Sequence, residues 1–570
     1  LYRQFTITIA VSVLLSTVVA LTLSPVMCSL ILKPDSGKKK TIVFRKINEW
    51  LNLGNHKYVA VINRVIRNPR RLMSAFGLVL VAIFIIHRLV PTSFLPVEDQ
   101  GYFKIELELP EGATLERTRV VTDRAVQYLE KNPYVAYVQN VTGSSPRVGS
   151  NQARSELTVI LKPWEERKGI SIDKIMENVE KDLKEYPECK VYLSTPPVIP
   201  GLGTSGGFEM QLEARGEATF DNLVQAADTL MYYAQKHKEL TGLSSSLQSE
   251  IPQLYFDVDR DKVKMLGVPL ADVFSTMKAY TGSVYVNDFN MFNRIYKVYI
   301  QAEAPYREHK DNINLFFVKA KDGVMVPLTS LGNASYTTGP GSIKRFNMFT
   351  TAVIRGSAAQ GYSSGQAMEI MEQIARNHLP DNIGLEWSGL SYQEKKAGGQ
   401  TGLVLTLVFL FVFLFLAAQY ESWTVPIAVL LSLPVAALGA YLGVVICGLE
   451  NDIYFQIGLV MLVGLAAKNA ILIVEFAKVQ VDKGGDLIQS AIHAAQLRFR
   501  PILMTSLAFV LGMLPMVLAS GPGSASRQAI GTGVFFGMIF AIVFGIVLVP
   551  FFFVLVYKTK AKVQHKIKKD

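Results

Sequence analysis

Cysteine is rare in this chain, and the few cysteines present cannot form a disulfide framework. Cys28 and Cys447 lie in long apolar runs, and only Cys189 lies in a water-facing stretch. A disulfide-stapled domain needs several cysteines within one water-facing region. The sequence therefore excludes a disulfide-rich external domain.

The sequence also lacks the usual signs of an enzyme. No Gly-rich loop ends in Lys-Ser or Lys-Thr, which argues against ATP as the energy source. Gly203–Gly207 and Gly361–Gly365 match the Gly-x-Ser-x-Gly pattern, but no hydrolase-like sheet surrounds either, so we interpret both as turns. The histidines show no metal-ligand spacing; they are His56, His87, His237, His309, His378, His493 and His565.

Apolar runs, by contrast, are abundant. With 570 residues, a mean hydropathy of +0.26 and 50% hydrophobic residues, the chain is too long for one domain and too apolar to be wholly water-soluble. Runs of this length and composition are candidate membrane spans. There are seven: Phe5–Leu32, Leu72–Ile86, Gly402–Ala418, Val425–Cys447, Ile453–Ala477, Pro501–Ser520 and Ala529–Val556.

The net charge of +11 comes largely from basic clusters beside the spans. One cluster lies between residues 33 and 71, and the other between residues 558 and 569. Lys and Arg next to spans mark the cytoplasmic side, so the charge predicts a membrane topology and no nucleic acid. Counting crossings from either cluster puts Leu1 and the long insert, about residues 91 to 400, outside the cell membrane.

The start of the chain is unusual for a membrane protein. The chain begins with leucine, enters an apolar run almost at once and shows no cleavage site of a signal peptide. We expect a fragment of a longer polypeptide, from which an odd number of helices is missing if the native N-terminus is cytoplasmic.

The insert begins like a small α+β domain. Gly101–Leu109 alternates as a half-buried strand does. Helix-like and strand-like segments follow as far as residue 193, giving the order β-α-β-β-α-β of a ferredoxin-like, split βαβ unit. A Pro- and Gly-rich joint, Pro196–Gly207, then predicts a boundary.

A second unit opens after this joint, at Phe208–Ala214. Its closing half lies much later, in residues 342–387, so residues 254–335 form a third module inserted within it. The predicted fold class is therefore an α-helical multi-span membrane domain plus an α+β external domain.

The polar residues of one span are the main functional signal. Lys468, Asn469 and Glu475 lie in the apolar run Ile453–Ala477. A lysine near the middle of a span costs about 2.5 to 3.5 kcal/mol and usually has a function or a buried partner. Snorkelling to the membrane edge explains Glu475 about as well as a function does, but it explains Lys468 poorly.

A second polar group is expected to lie near Lys468. Arg498 and Thr505 are seven positions apart and share one helix face, so the two helices together predict a polar cluster in lipid. Apart from Glu475, the chain offers no carboxylate at the depth of Lys468, so acidic partners are expected on the missing part. A lysine paired with protonatable carboxylates is an electrostatic element with two states, which a passing proton can switch.

Several long motifs resemble one family of membrane proteins. They are Gly464–Lys478, Arg500–Ala508, Phe94–Gly101, Tyr285–Phe289 and Tyr392–Glu394. Together they closely resemble the resistance-nodulation-division (RND) efflux pumps of the hydrophobe/amphiphile type. The resemblance runs from Leu1 to about Val556 and implies the C-terminal half of such a pump.

The resemblance implies an organisation in segments. Residues 94–204 resemble one porter subdomain, residues 205–250 with 340–390 a second, and residues 251–339 a docking subdomain. The other segments are a transmembrane helix (1–33), a cytoplasmic amphipathic connection (34–71), a transmembrane helix (72–93), a five-helix transmembrane block (400–557) and a basic cytoplasmic tail (558–570).

The resemblance also implies a function. Such pumps are homotrimeric, proton-driven exporters of drugs, detergents and bile-salt-like amphiphiles in the inner membrane of Gram-negative bacteria, with a large periplasmic domain. They work with a periplasmic adaptor protein and an outer-membrane channel, in contact with membrane lipid and without a bound cofactor. Lys468, Arg498 and Thr505 match their proton-relay positions, and Asn469 is adjacent.

The substrate pocket is where the sequence departs from the drug pumps. Those pumps have several phenylalanines there, whereas this chain has polar or small residues, which grip apolar ligands less well. The corresponding residues are Gln139, Ser144, Pro146, Arg147 and Thr158, with Tyr192 expected in the outer pocket. Two alternatives stay open: an RND exporter of lipids or endogenous metabolites, and a sensor or assembly protein that does not transport.

Overall fold

The computed structural model describes most of the chain. The described residues are 2–31, 42–145, 149–167, 169–203, 206–247, 249–359, 361–398 and 401–567. Within them, seven helical segments are long and apolar enough to cross a membrane, the number that the apolar runs predict.

Four helices precede the insert: α1 (Tyr2–Leu21), α2 (Leu23–Ile31), α3 (Ile42–Arg67) and α4 (Pro69–Leu89). The first predicted span is therefore two helices, separated at Thr22. α4 begins at a proline, whose missing N–H costs nothing in a first helical turn.

A four-stranded antiparallel sheet opens the insert. Its elements are β1 (Tyr102–Glu108), α5 (Leu115–Glu130), β2 (Val135–Ser145), β3 (Gly149–Leu161), α6 (Ile172–Leu183) and β4 (Lys190–Ser194). The strand order is β2-β3-β1-β4. Alternation in β1 turns Phe103, Ile105 and Leu107 towards a core shared with α5 and α6, and places Lys104 and Glu106 on the opposite face of the sheet.

The second sheet is built from two distant parts of the chain. Its first part comprises β5 (Phe208–Ala214), α7 (Phe220–Ala234) and β6 (Leu240–Ser245). Between the parts lie β7 (Ile251–Val258), α8 (Arg260–Met265), α9 (Leu270–Met277), β8 (Val284–Met291), β9 (Arg294–Ile300), β10 (Phe317–Lys319), β11 (Met325–Pro327) and β12 (Gly332–Gly339). The second part comprises β13 (Lys344–Phe346), β14 (Phe349–Ala358), α10 (Ser364–His378) and β15 (Ile383–Trp387).

Strand pairing joins the two parts into one sheet. β5 lies between β14 and β15, and β14 also pairs with β6 and β13. Elements β7 to β12 form separate two-stranded ladders. The β7–β12 and β10–β11 ladders pack around a core that includes Val273 and Leu328, whereas the exposed β8–β9 ladder contributes no residue to it. In chain order, these elements lie between the two parts of the second sheet.

The remaining helices form the membrane block. They are α11 (Gly389–Gly398), α12 (Thr401–Tyr420), α13 (Val425–Leu430), α14 (Leu433–Cys447), α15 (Ile453–Asp482), α16 (Leu487–Val517), α17 (Ser524–Phe540) and α18 (Ile546–Ile567). α13 and α14 replace one predicted span, with a break just before Pro434. α18 continues through the first part of the predicted basic tail.

Small residues let α14 and α17 approach closely. A Cβ atom on Gly443 would lie 2.6 Å from Cδ2 of Phe536, and one on Gly439 would lie 2.6 Å from Cβ of Phe540. Close backbone approach at small residues is how membrane helices gain packing contacts. The small-residue spacing along α14 is therefore used for packing.

Residues 91–98, here called the connector, link α4 to the first sheet and touch the starts of three helices. The Asn451 amide donates to the Pro91 carbonyl at 2.8 Å, next to the start of α15. At α10, the Gly365 amide donates to the Thr92 carbonyl at 3.3 Å. At α17, the Glu98 carboxylate accepts from the Ser526 amide at 2.9 Å. The connector thus joins the insert to the membrane block.

Candidate functional site

A cleft separates the face of the first sheet that carries Lys104 from the second sheet. One wall comes from β1, β3 and β4, and the other from β6 and β14. The lining residues used below are Lys104, Glu106, Glu156, Tyr192, Ser244 and Arg355.

Strand register shows which predicted pocket residues belong to this cleft wall. Gln139 is opposite Thr158, and Thr158 is opposite Lys104. Glu106 is opposite Tyr192 one row further along the same face, because positions two apart in a strand share a face. Tyr192 lines the cleft, whereas Gln139 and Thr158 share its sheet face without being among the lining residues.

Ser144, another predicted pocket residue, lies near the end of β2. Ser144 pairs with Ser150 beyond an irregularity in the ladder, so strand alternation does not place its side chain on the cleft face. Pro146 and Arg147 lie outside the described residues.

Both walls of the cleft carry charge. The Lys104 ammonium donates to the Glu156 carboxylate at 2.5 Å within one wall. On the other wall, Arg355 Nε donates to Glu209 Oε2 at 2.9 Å, and its buried Nη1 has no hydrogen-bond partner among the described residues. A ligand here would meet cations, carboxylates and an aromatic ring, a combination that suits amphiphiles carrying a polar or charged group.

A buried ionic network supports the cleft wall. Arg154 on β3 is 4% exposed and contacts three carboxylates. Its Nη1 lies 3.2 Å from Glu106 and 2.7 Å from Glu108, and its Nη2 lies 3.4 Å from Glu111. The Ser145 hydroxyl also donates to Glu106 at 2.6 Å. The network therefore ties the end of β2 to β1 and β3.

Sequence reasoning missed the charged residues of the cleft. Lys104 and Glu106 occupy the outward positions of the alternation in β1, so the pattern that predicts the strand also places both on the face opposite the core, although Glu106 is itself buried. No local sequence pattern predicts that Arg355 lies in the cleft, because its pairing with Glu209 joins strands that are far apart in sequence.

In the membrane block, α15 and α16 contact each other through polar side chains. Asn469 is buried, and its side-chain amide donates to the Ser506 hydroxyl at 3.0 Å. The sequence predicts a polar cluster of Lys468, Asn469, Thr505 and Arg498. The structure instead places Ser506 against Asn469, and the Thr505 hydroxyl donates within its own helix to the Pro501 carbonyl at 3.1 Å.

Lys468 and Thr505 are exposed, while Arg498 is half-buried. The Arg498 guanidinium lies 3.6 Å above the ring of Phe476 on α15. Because Asn469 and Ser506 join the helices, their neighbours Lys468 and Thr505 both lie beside this contact. Among the described residues no carboxylate forms an ion pair with Lys468, so its ammonium group is available to groups outside this chain.

A carboxyl group is buried where the insert meets the membrane block. Glu394 on α11 accepts a hydrogen bond from the Ser364 hydroxyl at 2.8 Å. Burial raises the pKa of Glu394 to about 7, helped by nearby Glu450 and opposed by Ser364 and Lys395. Burial likewise raises the pKa of Asp452, which caps α15, to about 7. Both carboxyl groups change charge near neutral pH.

Glu394 should therefore make stability depend on pH. A raised carboxyl pKa stabilises the native state fully below the ordinary value of 4.5, and this stabilisation is lost as the pH rises through about 7. Glu394→Gln should match the parent protein at low pH and exceed it above neutrality by up to about 3 kcal/mol. Urea unfolding of the insert across pH measures this. The slope of unfolding free energy against pH should be smaller in Glu394→Gln than in the parent protein, and it should not vanish, because Asp452 still titrates. The exposed Glu217→Gln serves as the control, and equal slopes in both variants would contradict the assignment.

Comparison with known proteins agrees with this architecture. A family model described as "AcrB/AcrD/AcrF family" matches residues 1–557. The chain belongs to this family. Members of this family are RND membrane transporters rather than enzymes, which is the class that the sequence predicts.

Individual relatives carry related names. The chain is 39% identical over 563 residues to the multidrug/solvent efflux pump membrane transporter MepB of Pseudomonas putida, covering 98% of this chain and 53% of that protein. It is 38% identical to multidrug resistance protein MdtF and 37% identical to multidrug export protein AcrF, both of Escherichia coli K12, each over 98% of this chain and 54% of the relative. This family member thus spans about half the length of the curated relatives it matches.

Proposed function

We propose that the chain is one half of a proton-driven exporter of amphiphilic small molecules. The observation that carries the proposal is the cleft, whose walls combine Tyr192 with the charged groups of Lys104 and Arg355. An amphiphile needs an apolar surface and a polar partner at the same site. The names of the relatives, which include multidrug and solvent efflux pumps, support export rather than uptake.

Two sheets of equivalent strand order support the finer assignment of the insert. β2-β3-β1-β4 and β6-β14-β5-β15 both have the order of a split βαβ unit. We assign the two sheets to ferredoxin-like porter subdomains, and the module from β7 to β12 to a docking subdomain. Substrate would bind between the two porter subdomains.

Proton coupling is assigned to the α15–α16 pair. Lys468 and Thr505 are exposed beside the buried Asn469–Ser506 contact, with Arg498 nearer one end of the pair. A lysine at this depth requires an acidic partner, supplied in this proposal by the other half of the protein. Protonation of that partner would release the lysine and shift the two helices.

The full protein is proposed to be a homotrimer in the inner membrane of a Gram-negative bacterium, with the insert in the periplasm. A periplasmic adaptor and an outer-membrane channel would complete the export path, and the proton gradient would supply the energy. The basic residues beside α3 and at the end of α18 support this orientation.

Truncating Tyr192 tests the cleft. In the full-length protein, Tyr192→Ala should reduce export of aromatic amphiphiles about tenfold, because a buried aromatic contact is worth about 1 to 2 kcal/mol. Dye efflux from a host without its own pumps, with and without a protonophore, measures export. Tyr232→Ala makes the same truncation at an exposed position on α7 and should leave export unchanged.

Three results would contradict the proposal in different ways. Efflux that is unaffected by the protonophore would contradict proton coupling. Equal effects of Tyr192→Ala and Tyr232→Ala on export would contradict the assignment of the cleft as the binding site. If the parent protein exports none of a panel of drugs, the result would instead favour an exporter of lipids or endogenous metabolites, or a protein that does not transport.

A further inference from the structure

Helix α3 has one face that packs against the membrane block. Leu51, Tyr58, Ile62 and Ile66 are each less than 9% exposed. The Tyr58 hydroxyl donates to the Ile546 carbonyl of α18 at 2.8 Å, and its ring stacks on Phe499 of α16 with the centroids 4.7 Å apart. This face is fully used by contacts within the chain.

A second face of α3 is polar and suits water. It carries Arg45, Glu49, Asn52 and His56, which recur at helical spacing and are exposed. Arg45 and Glu49 form an ion pair, with Nε 3.7 Å from Oε1. Such a surface pair is solvated and contributes little to stability.

A third face combines apolar and basic side chains, and here it is called the outer stripe. Residues three or four apart in a helix share a face, and six exposed residues recur in this way: Lys46, Trp50, Leu53, Lys57, Val61 and Arg64. Trp50 is 63% exposed, Leu53 55% and Val61 46%, so the apolar members have little contact with the described part of the chain.

The charge around the outer stripe is one-sided. Glu49 is the only acidic residue between residues 42 and 97, and it is already paired with Arg45. Arg67, Arg70 and Arg71 add exposed cations where α3 meets α4. None of the basic residues of the stripe, nor these three, forms an ion pair within the described residues. The surface is therefore complementary to a dense array of anions.

We propose that the outer stripe binds anionic phospholipid headgroups of the cytoplasmic leaflet, with Trp50, Leu53 and Val61 inserted at the boundary with the acyl chains. Basic side chains beside a tryptophan and aliphatic residues are the pattern of a helix lying in a membrane interface. The orientation comes from the proposed topology, but the lipid site does not depend on what the protein exports.

A protein partner explains the same surface less well. A protein interface would bury the apolar residues and leave the cations at its rim. Here Lys46, Lys57 and Arg64 are instead interspersed with Trp50, Leu53 and Val61 along one line. Lipid satisfies both kinds of side chain at once, because the phosphates and the acyl chains lie within one side-chain length of each other. Long basic side chains reach the phosphates while their stems stay apolar.

Binding to defined lipids tests the site in the purified full-length protein. Fluorescent phosphatidylglycerol in mixed micelles should bind more tightly than phosphatidylcholine, and each cation should contribute about fivefold. Lys57→Gln or Arg64→Gln should each weaken phosphatidylglycerol binding about fivefold, and the double variant about 25-fold. Arg45→Gln removes one charge from the polar face of the same helix and should change binding less than about twofold.

Trp50 reports directly on the apolar part of the site. Brominated phosphatidylglycerol should quench tryptophan fluorescence, and part of that quenching should disappear in Trp50→Phe. Equal binding of the two lipids, or equal loss in Arg45→Gln and Arg64→Gln, would overturn the proposal. So would binding of soluble glycerophosphoglycerol as tight as that of the lipid, or an unquenched Trp50, which would indicate that protein covers the stripe.

Discussion

Lys468→Ala in the full-length protein is expected to abolish proton-coupled export, lowering it to the level of a host without the transporter. Lys468 lies well inside α15, and its exposed position beside the buried Asn469–Ser506 contact leaves it free to pair with a group outside this chain. A charged side chain inside a membrane span costs free energy and is therefore usually kept for a function. Removing the Lys468 charge should abolish the electrostatic switch that couples proton movement to export. Dye efflux driven by an imposed pH gradient in proteoliposomes measures the effect.

The control for this variant is Lys483→Ala. It removes the same charge from the residue that ends the same helix, at an exposed position, and it should leave efflux unchanged. Asn469→Ala provides a second comparison, because it breaks the hydrogen bond to Ser506 without removing a charge and should reduce efflux only in part. Undiminished efflux in Lys468→Ala would refute the assignment of the relay.

Arg154→Leu is expected to destabilise the first sheet by about 3 to 5 kcal/mol, the usual result of removing one partner from a buried ion pair. Three carboxylates converge on this guanidinium, and Glu106 is itself only 8% exposed. Without the arginine, the buried Glu106 carboxylate loses a cationic partner that lies 3.2 Å away. Limited proteolysis of the β2–β3 hairpin at increasing urea measures the loss.

Arg124→Leu supplies the matched control. Arg124 pairs with Glu188 at 3.0 Å, but the two side chains are 51% and 37% exposed, so this change should cost less than about 1 kcal/mol. If both variants lower the urea midpoint equally, the Arg154 network is not what holds the cleft wall. If Arg154→Leu is stable but export falls, the arginine acts on substrate instead.

Much of the fold could be predicted from local sequence patterns. Apolar runs predict all seven spans found among the described residues, because a helix in lipid must satisfy its backbone internally and present apolar side chains. Strand alternation predicts β1, and the closing half of the second unit is where strands β14 and β15 pair with β5.

The charged parts of the cleft could not be predicted in the same way. Lys104 and Arg355 become neighbours only when two sheets face each other, and no local pattern encodes that approach. The partner of Asn469 was also missed, since Ser506 and Thr505 are adjacent and only helix rotation decides between them. The sequence indicates only an amphipathic connection at residues 34–71, whereas the packed face of α3 depends on the stacked rings of Tyr58 and Phe499.

The connector has a mechanical consequence. Within eight residues, its backbone and side chains form hydrogen bonds at the starts of α15, α10 and α17. These three helices are therefore all attached to the same short segment. If α15 slides or tilts when a charge beside Lys468 changes, we expect α10 and the sheet it covers to be pulled along. Movement of the membrane helices would then be transmitted to the cleft directly, through the covalent chain of the connector.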